Sequence, residues 1–150
     1  ALDFYQQALI VRREVSDRAG EAISLNNIGL VYNQQGKHSQ ALESLERALA
    51  IFRELGDRAN EGNTLDSLGT AYKSLRQYPQ ALDSYQQALA ILKEVGNRPL
   101  ERGTLSNIAQ LLEVQNKPEL AIFFYKEAVN LTESIRKDLR ALTREQQQSY

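Results

Sequence analysis

Few side chains in this chain are suited to catalysis. His38 is the single histidine and cysteine is absent. A nucleophile–base pair or a nitrogen–sulfur metal site therefore lacks a second member. The sequence contains no G-x-x-x-x-G-K-[ST], no G-x-G-x-x-G and no H-E-x-x-H, so phosphate cradling and zinc hydrolysis lack their motifs. Carboxylates such as Glu43 and Glu46 are spaced for one helix surface rather than for a shared pocket. Charge does recur at fixed spacing, as Glu14/Arg18, Glu54/Arg58 and Glu94/Arg98. These read as bonds that fix an interhelix turn, each contributing below about 1 kcal/mol. The remaining chemistry is hydrogen bonding by amides and hydroxyls. No enzyme activity, cofactor or metal is expected of the chain.

The charged pairs belong to a longer pattern that restates itself every 40 residues. Ala8-Leu9, Ala48-Leu49 and Ala88-Leu89 align, as do Glu21, Glu61 and Glu101, then Leu25, Leu65 and Leu105, then Ala41, Ala81 and Ala121. A fixed period of this size is the signature of a stacked array, in which each unit packs only on its neighbours. Such architectures point to binding or scaffolding.

The apolar spacing inside each unit is helical. Leu25, Ile28, Gly29 and Tyr32 follow the i, i+3, i+4, i+7 stripe, and Leu65, Leu68, Gly69 and Tyr72 repeat it. A second kind of stripe runs through Ala41, Leu42, Leu45, Ala48, Leu49 and Phe52. No stretch alternates with period two, so the fold expected is all-α. The spacing predicts helices over 1–15, 19–35, 38–55, 59–75, 79–95, 99–115 and 118–137. Gly56 and Gly96 suit a left-handed position after a helix, and Gly36 and Asn116 hold the same place in other helices. Asp57 and Asn97 can cap the next helix. Pro79, Pro99 and Pro118 fall in first turns, where proline is tolerated. Gly29 and Gly69 are expected where two antiparallel helices cross closely, opposite Ala41, Ala48, Ala81 and Ala88. Tyr32, Tyr72, Tyr85 and Tyr125 are expected in the core.

Bulk properties narrow the partners. With 18 basic and 19 acidic residues the net charge is −1, and the lack of a Lys/Arg run argues against nucleic acid or an anionic membrane. No apolar run approaches a membrane span and no signal peptide is visible. The missing cysteines fit the cytoplasm.

Leu25-Asn26-Asn27-Ile28-Gly29 with Tyr32, Ala41 and Ala48 resembles the tetratricopeptide repeat, as does Leu65 to Gly69 with Tyr72, Ala81 and Ala88. The third unit departs, with Ala109 for the glycine and Leu112 for the tyrosine. The usual repeat is about 34 residues. The longer form, with Gly-Asp-Arg between helices, is similar to that of LGN-type polarity adaptors. The stretch Ala121 to Leu131, followed by Thr143 to Tyr150, resembles the junction ahead of a CHAT (caspase-like) domain in bacterial proteins.

The resemblance implies a right-handed superhelical solenoid of antiparallel helix pairs. It divides the chain into helix B of a truncated repeat (1–16), repeats at 19–56, 59–96 and 99–137, and the start of a capping or linker helix (138–150). Thr143 and Gln146 look like that helix's capping box, with Leu142 as staple. The chain thus reads as a segment of a longer array. The resemblance also implies that helix A of each unit lines a concave groove holding an extended peptide or a partner's helix. The groove positions are Asn26, Asn27, Leu30 and Asn33, then Asn63, Asp66, Ser67, Thr70 and Lys73, then Ser106, Asn107 and Gln110, flanked by Ile23, Gly103 and Glu113. Amide side chains carry donors and acceptors that match a peptide backbone. The basic residues of a chaperone-type carboxylate clamp are missing at Asn26, Leu30, Ser67, Gly103 and Asn107. The partner expected is a protein or peptide. A homodimer could form through the unpaired first helix, by the apolar face of Leu2, Tyr5 and Leu9.

Overall fold

The computed structural model describes the backbone of residues 1–148 and the side chains of residues 1–142. Its helices are α1 (Leu2–Glu14), α2 (Arg18–Gln34), α3 (His38–Leu55), α4 (Arg58–Ser74), α5 (Tyr78–Glu94), α6 (Arg98–Val114) and α7 (Pro118–Gln148). No strand occurs among the described residues. Each helix packs on its chain neighbours, and α2, α4 and α6 also touch in sequence. The result is an all-α solenoid. In it α2, α4 and α6 are the first helices (A) of successive pairs, and α1, α3, α5 and α7 are the second (B).

Capping chemistry sets the helix ends. Asp17, Asp57 and Asn97 accept hydrogen bonds from the backbone N–H of Gly20 (2.8 Å), Asn60 (3.1 Å) and Leu100 (3.3 Å), satisfying donors that a helix start leaves orphaned. Gly36, Gly56 and Gly96 take positive φ after their helices, and so do Ser16, Arg76 and Asn116. The left-handed turn therefore recurs at every A–B and B–A junction, even where the sequence offers no glycine.

Three apolar clusters follow one another along the stack. Leu25 meets Ala48, Ile51 and Phe52 between α2 and α3, with Leu9 of α1 against them. Leu45 and Leu49 of α3 meet Leu65 and Leu68 of α4 and Ile91 and Leu92 of α5. Tyr85 of α5 meets Ile108, Leu111 and Leu112 of α6 and Ala121 of α7. Helices α3 and α5 thus each pack on the A helix before and the A helix after.

The close crossing forms where the glycines lie. A Cβ on Gly29 would stand 2.5 Å from Leu45 Cγ, and one on Gly69 would stand 2.6 Å from the Tyr85 ring. Of the four tyrosines expected inside, only Tyr85 is fully buried. Tyr32, Tyr72 and Tyr125 are half-buried, and the hydroxyls of Tyr72 and Tyr125 reach the surface to donate to Glu46 (3.0 Å) and Glu113 (2.9 Å).

Two expectations about the ends are corrected. The break near residue 137 does not occur: α7 runs unbroken through Gln148. Between Ile135 and Thr143 the chain holds no glycine or proline, and its Arg, Lys and Leu residues favour continued helix. Thr143 is therefore inside a helix rather than capping one. The side chains of Thr143 and Gln146, and all of Ser149 and Tyr150, lie outside the described residues. At the other end, Leu2, Tyr5 and Leu9 are half-buried, because they occupy the offsets of Leu42, Leu45 and Leu49 and face the next helix A. The exposed apolar residues of α1 and the turn after it are Phe4, Ile10, Val11 and Val15.

Candidate functional site

The helix A residues form one polar row across α2, α4 and α6, joined from helix to helix. Thr64 Oγ1 donates to Asn26 Oδ1 (3.0 Å), tying α4 to α2. Asn33 Nδ2 donates to the Ser67 carbonyl (3.3 Å), a second link between the same helices. One unit later, Thr104 Oγ1 donates to Asp66 Oδ1 (2.8 Å), and Asn107 Nδ2 lies 3.2 and 3.3 Å from the two Asp66 oxygens. Lys73 Nζ donates to Gln110 Oε1 (3.2 Å). Much of the amide and hydroxyl chemistry therefore holds adjacent units together.

The row divides by exposure. Asn26 and Ser67 are 8% and 7% exposed, and Ser67 Oγ donates to the Asn63 carbonyl (3.1 Å). Both back the surface rather than present it. Asn27, Leu30, Asn33, Asn63, Asp66, Thr70, Lys73, Ser106 and Asn107 are half-buried, and Gln110 is exposed. The side chains of Asn27 and Asn63 make no hydrogen bond to any described residue, which leaves their donors and acceptors open. Thr70 Oγ1 lies 3.1 Å from Tyr85 Oη and 3.2 Å from the Asp66 carbonyl. Ser106 Oγ donates to the Arg102 carbonyl (3.2 Å). Ile23 and Glu113, at the edges, are exposed.

The row is also tuned electrostatically. Burial pushes the Asp66 carboxyl above its usual range, opposed by the hydrogen bonds from Thr104 and Asn107. Burial likewise lowers the Lys73 ammonium, and attraction to Asp66 opposes it. Burial raises the Tyr85 phenol to about 12. Each shift follows from removing a charged form from water. Among the described residues no three His, Asp or Glu side chains gather where a metal ion would be held. His38 Nδ1 instead lies 3.3 Å from Asn33 Oδ1.

The recurring Glu/Arg residues pair differently from the sequence expectation. Arg18 reaches Glu54 and Arg58 reaches Glu94, each at 2.8 Å, so the two ends of one helical pair are joined rather than neighbours across one turn. Arg98 pairs with Asp138 in the same manner. A second set is buried on one side: Glu21 bonds Arg13 and Arg18, and Glu61 bonds Arg53 and Arg58. Reasoning from sequence missed Thr64 and Thr104. The available signal was their identical offset in two units, each 38 residues after a polar residue of the preceding helix A.

A solenoid of helix pairs with small residues at each crossing and a stitched helix A row defines an α-helical repeat protein of the interaction type. The sequence profile of the tetratricopeptide repeat matches residues 1–54, 28–94 and 60–134, and the chain belongs to that family. Tetratricopeptide repeats are generally protein–protein interaction scaffolds without enzymatic activity. No curated protein matches the chain. Among solved structures it is similar to BtubC (BKLC) from P. vanneervenii, at 20% identity and TM-score 0.81, over 90% of this chain and 56% of that one. It is also similar to the tetratricopeptide domain of Arabidopsis FLU, at 21% identity and TM-score 0.73, over 78% of this chain and 98% of that one. Aspartyl phosphate phosphatase F from Bacillus subtilis matches at 21% identity and TM-score 0.83, over 89% of this chain but 35% of its own length. At these identities the likeness is one of fold. No helix among the described residues is long and apolar enough to cross a membrane.

Proposed function

We propose that the chain binds a protein or peptide on its helix A face, within the interaction or regulatory region of a larger cytoplasmic protein. The observation that carries this reading is the pair of open amides, Asn27 and Asn63, on a row whose other polar groups are already hydrogen-bonded within the fold. An extended peptide offers N–H and C=O groups to such amides. Leu30, Thr70, Lys73, Ser106 and Gln110 would border it, with Asn33, Asp66 and Asn107 holding the units in register and Asn26 and Ser67 behind. The test is a native-lysate pull-down with the wild-type chain beside an Asn27→Ala, Asn63→Ala, Gln110→Ala variant. Loss of a partner in the variant alone supports the groove; a partner kept by both moves the function to another surface.

A second reading rests on the exposed Phe4, Ile10 and Val11 of α1. There the array packs on an adjacent domain, of the CHAT type that the C-terminal segment resembles, or self-associates through α1. The long, LGN-like unit is compatible with either role. A sedimentation series that stays monomeric over a wide concentration range removes the self-association version.

A further inference from the structure

We propose that the second unit binds an arginine side chain of a partner protein in a groove between α4 and α5, separate from the helix A row. This open groove of about 360 Å³ is lined by Tyr72, Pro79, Gln80, Asp83 and Ser84. Tyr72 gives it a half-buried aromatic wall. Ser84 is 6% exposed, and its hydroxyl makes no hydrogen bond to any described residue. A nearly buried hydroxyl without a partner marks a polar contact left for a ligand. Asp83 accepts only from the Gln87 amide (2.6 Å). Glu46 of α3 reaches the same groove by accepting from the Tyr72 hydroxyl (3.0 Å). Neither carboxylate forms an ion pair among the described residues.

The other two units define the occupant. At the offsets of Tyr72, Gln80, Asp83 and Ser84 the first unit holds Tyr32, Gln40, Glu43 and Ser44, which line a groove of about 210 Å³. There the chain supplies cations of its own. Lys37 Nζ lies 5.9 Å from the Tyr32 ring centroid, and Arg47 lines the groove. The second unit has Gln77 and Gln87 at those two offsets, so the same tyrosine and acid stand without a cation. The third unit replaces the set by Leu112, Leu120, Phe123 and Phe124, with neither acid nor hydroxyl. A cation over a phenol ring is attracted to its negative face. Arginine suits the second unit better than lysine. Acceptors come from two helices, Glu46 on α3 and Gln80, Asp83 and Ser84 on α5. A guanidinium brings five donors in a planar fork to them, an ammonium only three. An acidic side chain is repelled there by both carboxylates.

The test titrates the isotopically labelled full chain with an acetylated, amidated Gly-Arg-Gly peptide and its lysine and citrulline analogues, at constant ionic strength. Citrulline keeps the shape of arginine without its charge. The arginine peptide is expected to shift the Asp83 and Ser84 amides saturably and to leave Asn27 and Asn63 unmoved. The citrulline peptide should bind at least about tenfold more weakly, since it loses the charge-assisted bonds. The lysine peptide should bind at least about twofold more weakly. Asp83→Asn should weaken the arginine peptide at least about threefold, the scale of one exposed ion pair. Gln77→Lys copies the first unit's own cation into the second and should weaken it about as much. Both substituted positions are exposed, and Gln77 makes no side-chain cap bond, so the fold is kept. The absence of any saturable shift at Asp83 and Ser84 up to the peptide's solubility limit would overturn the proposal. So would citrulline or lysine binding as tightly as arginine, or an unchanged affinity in either variant. Shifts centred on Asn27 and Asn63 would place the cation in the helix A row and equally overturn it.

Discussion

Thr104 donates a 2.8 Å hydrogen bond to Asp66, joining α6 to α4 through a carboxylate that is itself half-buried. With Asn107 on the other side, Asp66 is where the second and third units are held in register. Thr104 is 1% exposed, so no water can replace its hydroxyl. Thr104→Val should cost about 1–3 kcal/mol, because it withdraws a donor from a carboxylate removed from water. Urea denaturation at pH 7 measures the difference.

Asp66 also sets a pH dependence of defined sign. Its folded-state pKa is raised by burial, so the folded state holds the proton more tightly than the unfolded state. The associated stability is fully present below the unfolded value, near 4, and is lost as pH rises through the folded value. Asp66→Asn keeps an oxygen acceptor for Thr104 and carries no charge to desolvate. The variant should gain on the wild type as pH rises from 4 to 7, and chemical denaturation at several pH values reads this directly.

Glu21 works in the opposite direction. Its hydrogen bond from Arg13, with Arg18 assisting, holds its carboxyl below the usual range. That contribution is present above the unfolded pKa, near 4.3, and is lost as pH falls through the folded value. Glu21→Gln should therefore flatten the acid limb of the stability profile while costing about 1 kcal/mol at neutral pH. A thermal melt series from pH 3 to 7 tests both parts.

Gly69 and Arg76 make a pair of opposite predictions on neighbouring turns. Gly69→Ala places a methyl 2.6 Å from the Tyr85 ring. The overpacking should cost about 1–3 kcal/mol, with a lower denaturation midpoint. Arg76 holds φ 59°, a left-handed conformation that is costly for a residue with a side chain. Arg76→Gly should stabilise by about 0.5–1 kcal/mol.

The repeat, the helix pairs and the caps Asp57 and Asn97 were legible in the sequence. Each is local: a 3.6-residue stripe, an Asp or Asn before it and a glycine after it define a helix without reference to the rest of the chain. Gly29 and Gly69 further marked the crossings, since only a missing side chain allows two helices so close. What the sequence left open were relations between units. It put Arg18 beside Glu14, but packing places α3 alongside α2 and brings Glu54 within 2.8 Å. It offered Asn26, Asp66 and Asn107 as open groove groups, but stacking α2, α4 and α6 turns them toward partners in an adjacent helix A. It assigned the apolar face of α1 to Leu2, Tyr5 and Leu9, which the contact with α2 covers. Helical periodicity says which side chains share a face. Only the docking of one helix on another decides which of those faces is spent on the fold and which is left for a partner.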